Sequence, residues 1–175
     1  VKARRERLSP YDDVPLALNA AQTAPRLTDE MLRARKHNAP LSVLFLRMDS
    51  FDELLSSGGL ARSNQVMRGF ADRIRELSPP SHRLFRRSPE TFVAILPEMD
   101  RPMALLHAET IRSHLSDHPL MLTPPHSLTV TVSAVVANWN GDESADSLLD
   151  RCQEALLRMA DGTSDRVTCA DPDDG

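Results

Sequence analysis

Glycine is scarce in this chain, with six among 175 residues, and none of them forms a phosphate-cradling loop. There is no Gly-x-Ser-x-Gly segment, so a serine hydrolase of that type is excluded. Cysteine is limited to Cys152 and Cys169, which lack metal-ligand spacing. Cys152 falls on an apolar helical face and Cys169 in an expected strand, and both are expected to be buried thiols of a cytoplasmic protein. No apolar run reaches about 18 residues and no secretory pattern is present, so no membrane-spanning segment is expected. The chain opens at Val1, as expected of a piece excised from a longer protein. Its net charge of −4 argues against general nucleic-acid binding. Lys2, Arg4, Arg5 and Arg7 crowd the start and Asp171, Asp173 and Asp174 the end, which reads as two solvated tails.

What is present is enough for one packed domain: 41% of the residues are hydrophobic. Residues 1–27 carry Pro10, Pro15 and Pro25 without clear periodicity, and read as a linker with a short helix near Leu16 to Gln22. Thr28 or Asp29 can cap a helix to about Asn38. Leu41 to Met48 is a continuous apolar run suited to a central strand covered on both faces. Residues 50–56 form a short helix ended by Gly58-Gly59. A longer helix follows over 61–77, with Val66, Phe70, Ile74 and Leu77 as its buried stripe. Ser78-Pro79-Pro80-Ser81 breaks the chain. A hairpin follows at 83–87 and 91–96. Leu105, Ala108, Ile111 and Leu115 mark the next helix, with Pro102 in its first turn.

Leu128 to Val136 reads as one long strand, and Ser144 or Ser147 starts the last helix, with Leu148, Cys152 and Leu156 on its apolar face. Arg166 to Ala170 is a final edge strand. There is no internal repeat. Mixed strands and helices give an α+β domain over 28–170, with a mixed central sheet flanked by helices, a linker over 1–27 and an acidic tail over 171–175. The order βαββαβ is the ferredoxin-like pattern.

Several fragments at compatible spacing resemble a known family. Arg47-Met48-Asp49-Ser50-Phe51 ends the first core strand, and Phe85-Arg86-Arg87-Ser88-Pro89-Glu90-Thr91-Phe92 spans the hairpin turn. Asp12 and Asn19 lie ahead of them, and Ala155-Leu156-Leu157 lies in the last helix. Together they resemble a GGDEF domain, the module that joins two GTP molecules into cyclic di-GMP, over roughly residues 12–170. The resemblance implies a nucleotidyl cyclase-type fold. In that family an Asp-x-Asp-x-Phe occupies the strand end and Gly-Gly-Asp/Glu-Glu-Phe the turn.

The family's chemistry needs carboxylates that hold metal ions against phosphate charge. Arg47 stands where the resemblance places the strand-end acid, and a guanidinium repels a divalent ion by about 8 kcal/mol at 4 Å and an effective dielectric of about 20. Ser88 and Pro89 replace the turn glycines, adding a side chain and removing an N–H donor. Glu90 keeps an acid, Thr91 replaces the next glutamate and Phe92 is retained. The guanine-reading positions carry Leu55 and Asn64, and the late phosphate-binding positions carry Ala160 and Ser164. The inhibitory product-site window, Arg-x-x-Asp in many relatives, reads Pro79-Pro80-Ser81-His82, so no cyclic di-GMP is expected there.

These substitutions lead to an expected catalytically inactive GGDEF-like regulatory or protein-interaction domain, with no metal or cofactor, acting on a protein partner or on neighbouring domains in the same chain. The alternative is a nucleotide sensor that binds GTP without turnover. Arg47 is expected to pair with Glu90 or Asp49 in place of the metal, or else to point into solvent. Asp49 is either a leftover ligand or a cap on the following helix. His114 and His118 have a spacing that can hold zinc on a helix, without a partner carboxylate motif. Met99 and Met103 are expected to pack in the ordinary way rather than form a contact surface.

Overall fold

The structure is a computed structural model and describes residues 19–159 and 164–170. A 3-10 turn at Ala20–Gln22 leads into α1, Thr23–His37. Pro25 sits in its first turn, where a missing N–H costs nothing. Leu27, Met31 and Ala34 recur on one face and are buried. Asn38 ends the helix in the left-handed conformation, φ 50°.

Strand β1, Leu41–Met48, is buried along its whole length except at Arg47. Helix α2 spans Phe51–Glu76 and is interrupted at Gly59, whose φ of 73° and ψ of −179° are not helical. Strands β2, Arg83–Ser88, and β3, Thr91–Pro97, form the hairpin. Helix α3, Arg101–Asp117, is capped by Asp100, whose carboxylate accepts the Met103 N–H at 3.0 Å. A small two-stranded ladder joins β4, Leu120–Met121, to β5, Ser127–Leu128. Strand β6, Val132–Asn138, precedes α4, Ala145–Arg158, capped by Ser144. Strand β7, Arg166–Cys169, closes the order.

The main sheet runs β2-β3-β1-β6-β7. Strand β1 is antiparallel to β3 and β6, and β7 is parallel to β6, which makes the sheet mixed. Because side chains alternate along β1, it feeds two cores. Leu44, Leu46 and Met48 join residues of α2 and α3, among them Phe70 and Ile111. Val43 and Phe45 join residues of α1 and α4, among them Met31 and Leu148. The α+β class, the mixed sheet and the ferredoxin-like order therefore stand as the sequence led one to expect.

Several details differ. Thr28 does not cap a helix. It lies inside α1 and returns its hydroxyl to the Ala24 carbonyl at 3.0 Å. The helix starts six or seven residues earlier than a cap at Thr28 or Asp29 implies, because Pro25 is tolerated in a first turn. Residues 19–27 thus belong to the packed framework. The expected helix from Leu16 begins outside the described residues, and its remainder is the 3-10 turn. The two helices expected on either side of Gly58-Gly59 are present and meet at a kink, where Gly59 is not helical.

The single strand expected over Leu128 to Val136 is two. Leu128 pairs with Leu120 in the small ladder, whereas Val132 pairs with Met48 in the main sheet. Alternation continues through Thr129–Thr131, so the pattern hides the change of partner. Cys152 is fully buried, and burial pushes its thiol up to about 12. Cys169 is only half-buried. Met99 packs against the core, whereas Met103 is exposed. No helix among the described residues is long and apolar enough to cross a membrane.

Candidate functional site

The residues singled out at the strand end and the hairpin turn come together at one end of the sheet. Arg47 lies opposite Thr91 on β3 and Ser133 on β6. The Met48 N–H donates to the Glu90 carbonyl at 2.9 Å, which fastens β1 to the turn. The turn itself is braced from within: buried Arg86 donates through Nη2 to the Pro89 carbonyl at 2.7 Å. The Arg86 N–H donates to Asn19 Oδ1 at 2.6 Å, and Asn19 N–H donates back to the Arg86 carbonyl at 3.0 Å. A bulge between Arg86 and Ser88 swings Arg87 over the Phe45 ring at 5.4 Å, where its Nε donates to Gln153 on α4. Ser88 is half-buried, Pro89 exposed and Thr91 buried. Phe92 is wholly buried, edge-to-face with Phe70 at 5.4 Å.

Arg47 does not form the expected pair. Among the described residues no ion pair joins it to Asp49 or Glu90, and it does not simply point into solvent. Its Nη1 donates to the Leu156 carbonyl, 3.0 Å away in the last turn of α4. That end of a helix carries unsatisfied carbonyls and partial negative charge, which a cation stabilises. The alternation of β1 explains the direction: position 47 shares the face of Val43 and Phe45, toward α1 and α4.

Asp49 does not cap α2. The residue at the cap position is Ser50, in the left-handed conformation with no side-chain bond. Asp49 instead gathers three donors: Thr131 Oγ1 at 2.7 Å, Ser133 Oγ at 2.6 Å and the Asp165 N–H at 2.8 Å. Its own N–H donates to the Thr131 carbonyl at 3.0 Å. One carboxylate thus ties the end of β1 to the start of β6 and the approach to β7. Its partners could not be read from the sequence, although the alternating hydroxyls of Thr129, Thr131 and Ser133 were visible.

Leu55 and Asn64 lie on α2 on either side of the Gly59 break, the first 39% exposed and the second half-buried. Neither lines the cavity of about 320 Å³ beside the β1–α2 turn, which is walled by Asp49, Glu53, Ser57, Arg62 and Thr129–Thr131. Ser164 is exposed, while Asp12 and Ala160 lie outside the described residues. His114 and His118 stack at 4.3 Å, with Arg73 Nη1 at 3.2 Å from His114 Nδ1. Among the described residues no group of three or more His, Cys, Asp or Glu could hold a metal ion.

In the window before the hairpin, His82 is buried edge-to-face against His107 of α3, ring centres 4.9 Å apart. Burial, and secondarily the His107 charge, lower the His82 pKa to about 4, and burial lowers that of His107.

The comparisons agree with this geometry. The profile of the diguanylate cyclase GGDEF domain matches residues 11–166. The chain is 30% identical over 129 residues to the diguanylate cyclase DgcM of Escherichia coli, covering 74% of this chain and 30% of that protein. The GGDEF domain of DgcB from Caulobacter crescentus, solved in complex with c-di-GMP, is 24% identical and superposes with a TM-score of 0.81 over 94% of this chain and 96% of that one. Diguanylate cyclase SiaD from Pseudomonas aeruginosa, solved in complex with its activator SiaC, is 20% identical with a TM-score of 0.81, covering 96% of this chain and 64% of that one. With its profile match, its mixed sheet and its hairpin turn facing the end of β1, this chain belongs to the diguanylate cyclase GGDEF-domain family.

Proposed function

We propose that this domain is a catalytically inactive GGDEF module that regulates or docks a protein partner, or a neighbouring domain, within a cytoplasmic cyclic di-GMP signalling protein. One observation carries the reading. At the strand end where the family resemblance places a metal-holding acid, Arg47 is committed to the C-terminal end of α4. The remaining acids do not fit a divalent ion. Asp49 already accepts three hydrogen bonds, and Glu90 stands alone on the turn. Pro89 offers no N–H to a phosphate. The SiaD–SiaC complex is a precedent in which a family member meets a protein partner. In the window of the inhibitory product site, inward-facing His82 leaves no arginine fork or carboxylate, so cyclic di-GMP does not bind there in this reading.

Incubation with GTP and Mg²⁺ followed by a product assay tests the proposal directly. No cyclic di-GMP is expected, and clear turnover overturns it. The Arg47→Asp variant is expected to remain inactive as well, because Ser88 and Pro89 still occupy the turn. A second reading, a GTP sensor without turnover, is favoured only by the cavity of about 320 Å³ beside the β1–α2 turn. Calorimetry with GTP and Mg²⁺ separates the two. Heat of binding at millimolar nucleotide without product selects the sensor, and its absence selects the docking module.

A further inference from the structure

The turn between β6 and α4 carries the Asn-Gly step of this sequence, Asn140-Gly141. Both ends of the turn are anchored. Trp139 donates its N–H to the Leu41 carbonyl at 2.9 Å and its indole N–H to the Glu143 carbonyl at 2.9 Å. Glu143 is ion-paired with Arg151 of α4. Between these anchors Asn140 is exposed. Its Oδ1 accepts the Asp142 N–H at 2.8 Å and the Glu143 N–H at 3.0 Å. Those bonds fold the carboxamide back over the chain that follows it.

Gly141 holds φ at 93°, and a Cβ built there meets nothing within 4 Å, so the space around it is open. Its carbonyl accepts from Arg35 Nη2 at 2.7 Å, whereas its N–H has no acceptor among the described residues. An unbonded amide nitrogen therefore follows a carboxamide whose oxygen is already held by two N–H donors. Such donors stabilise the negative charge that develops on a carbonyl oxygen under attack. Closure of a five-membered ring also brings the reacting atoms together with no loss of translational freedom. The other asparagines are each followed by a residue with a side chain, which crowds the attacking nitrogen. Asn64 lies inside α2, and the Asn138 carboxamide donates to the Leu41 carbonyl at 3.2 Å and to Ser42 Oγ at 3.1 Å.

We propose that Asn140-Gly141 is a site of spontaneous covalent modification, deamidation through a cyclic imide. Hydroxide takes the Gly141 amide proton, and the nitrogen bonds to Asn140 Cγ. The tetrahedral centre expels the carboxamide nitrogen, which takes up a proton and leaves as ammonia. Water then adds to either carbonyl of the imide and opens the ring. The product is aspartate or, where the main chain now runs through the former side chain, isoaspartate. Both carry a new carboxylate, and water is the co-reactant consumed. The modified turn is also the one that Arg35 ties to α1, through the Gly141 carbonyl and across the Trp139 ring at 5.6 Å. Isoaspartate lengthens the backbone between those two contacts by one carbon. The reaction does not depend on whether the hairpin end of the sheet turns over GTP.

Incubation of the protein in mildly alkaline ¹⁸O-water, then digestion and mass spectrometry, tests this. The peptide containing residue 140 is expected to exchange its amide for an acid that carries one solvent oxygen, with isoaspartate in excess of aspartate. Its rate should lie within about tenfold of that of a free peptide spanning residues 139–144. Asn38, Asn64 and Asn138 should remain amides over the same interval. Gly141→Ala should slow the conversion by at least about tenfold. Asn140→Gln, an exposed change, should keep its amide, because attack there closes a larger ring. The proposal is overturned if Asn140 stays an amide after the free peptide has converted, if another asparagine converts as fast, or if both variants react as the parent does.

Discussion

Asp49 and Arg47 stand two positions apart at one end of the sheet and hold different partners. Asp49 accepts from Thr131, Ser133 and the Asp165 backbone, and Ser133 is fully buried. Asp49→Ala removes the charged acceptor that these three hydrogen bonds share and is expected to cost about 3 kcal/mol, read as a lower urea midpoint. Arg47→Ala removes one donor from a helix end and is expected to cost about 1 kcal/mol. The sequence revealed that an arginine stood at the strand end. It could not reveal the partner, because the acceptor is a backbone carbonyl 109 residues away and carries no side-chain signature. The same limit hid Arg86, whose guanidinium holds the Pro89 carbonyl in the turn.

Among the elements, α2 is the least uniform. From Asp52 to Arg62 almost every residue is exposed, with Phe51 buried and Leu54 half-buried as anchors. Amides of 52–60 are therefore expected to exchange fastest among the helical ones, measured by hydrogen exchange. Gly59→Ala forces a Cβ onto a backbone region essentially reserved for glycine and is expected to cost about 2 kcal/mol in urea unfolding. The Gly58-Gly59 break was visible in the sequence because glycine is a local signal. The division of Leu128 to Val136 between two ladders was not, since both halves alternate alike.

The contact between the approach to β2 and α3 adds a pH dependence. His82 and His107 have folded-state pKa values lowered below the usual 6.5, that of His82 to about 4. The unfolded chain therefore binds more protons as the pH falls below about 6.5, and stability is lost between there and about 4. The loss from His82 is of order 3 kcal/mol. His82→Phe should flatten the part of the pH–stability curve that this residue supplies.

At the scale of the whole molecule, one sheet serves two cores, because β1, β3 and β6 send alternate residues to opposite faces. Damage on one face must therefore reach the other. Phe70→Leu, in the α2–α3 core, is expected to lower the unfolding midpoint reported by Trp139, which packs against the α1–α4 core, by the same amount as the midpoint seen in far-ultraviolet circular dichroism. Separate midpoints for the two probes reject a single cooperative unit. The α+β class and strand positions were legible because long buried strands and striped helices are repeated signals. The contact of Arg47 with the end of α4 was not. The arginine that bolts β1 to α4 also limits what position 47 tolerates: an acid there sets a negative group against the negative pole of that helix, so the charge at the end of one strand is tied to the polarity of a helix more than a hundred residues away.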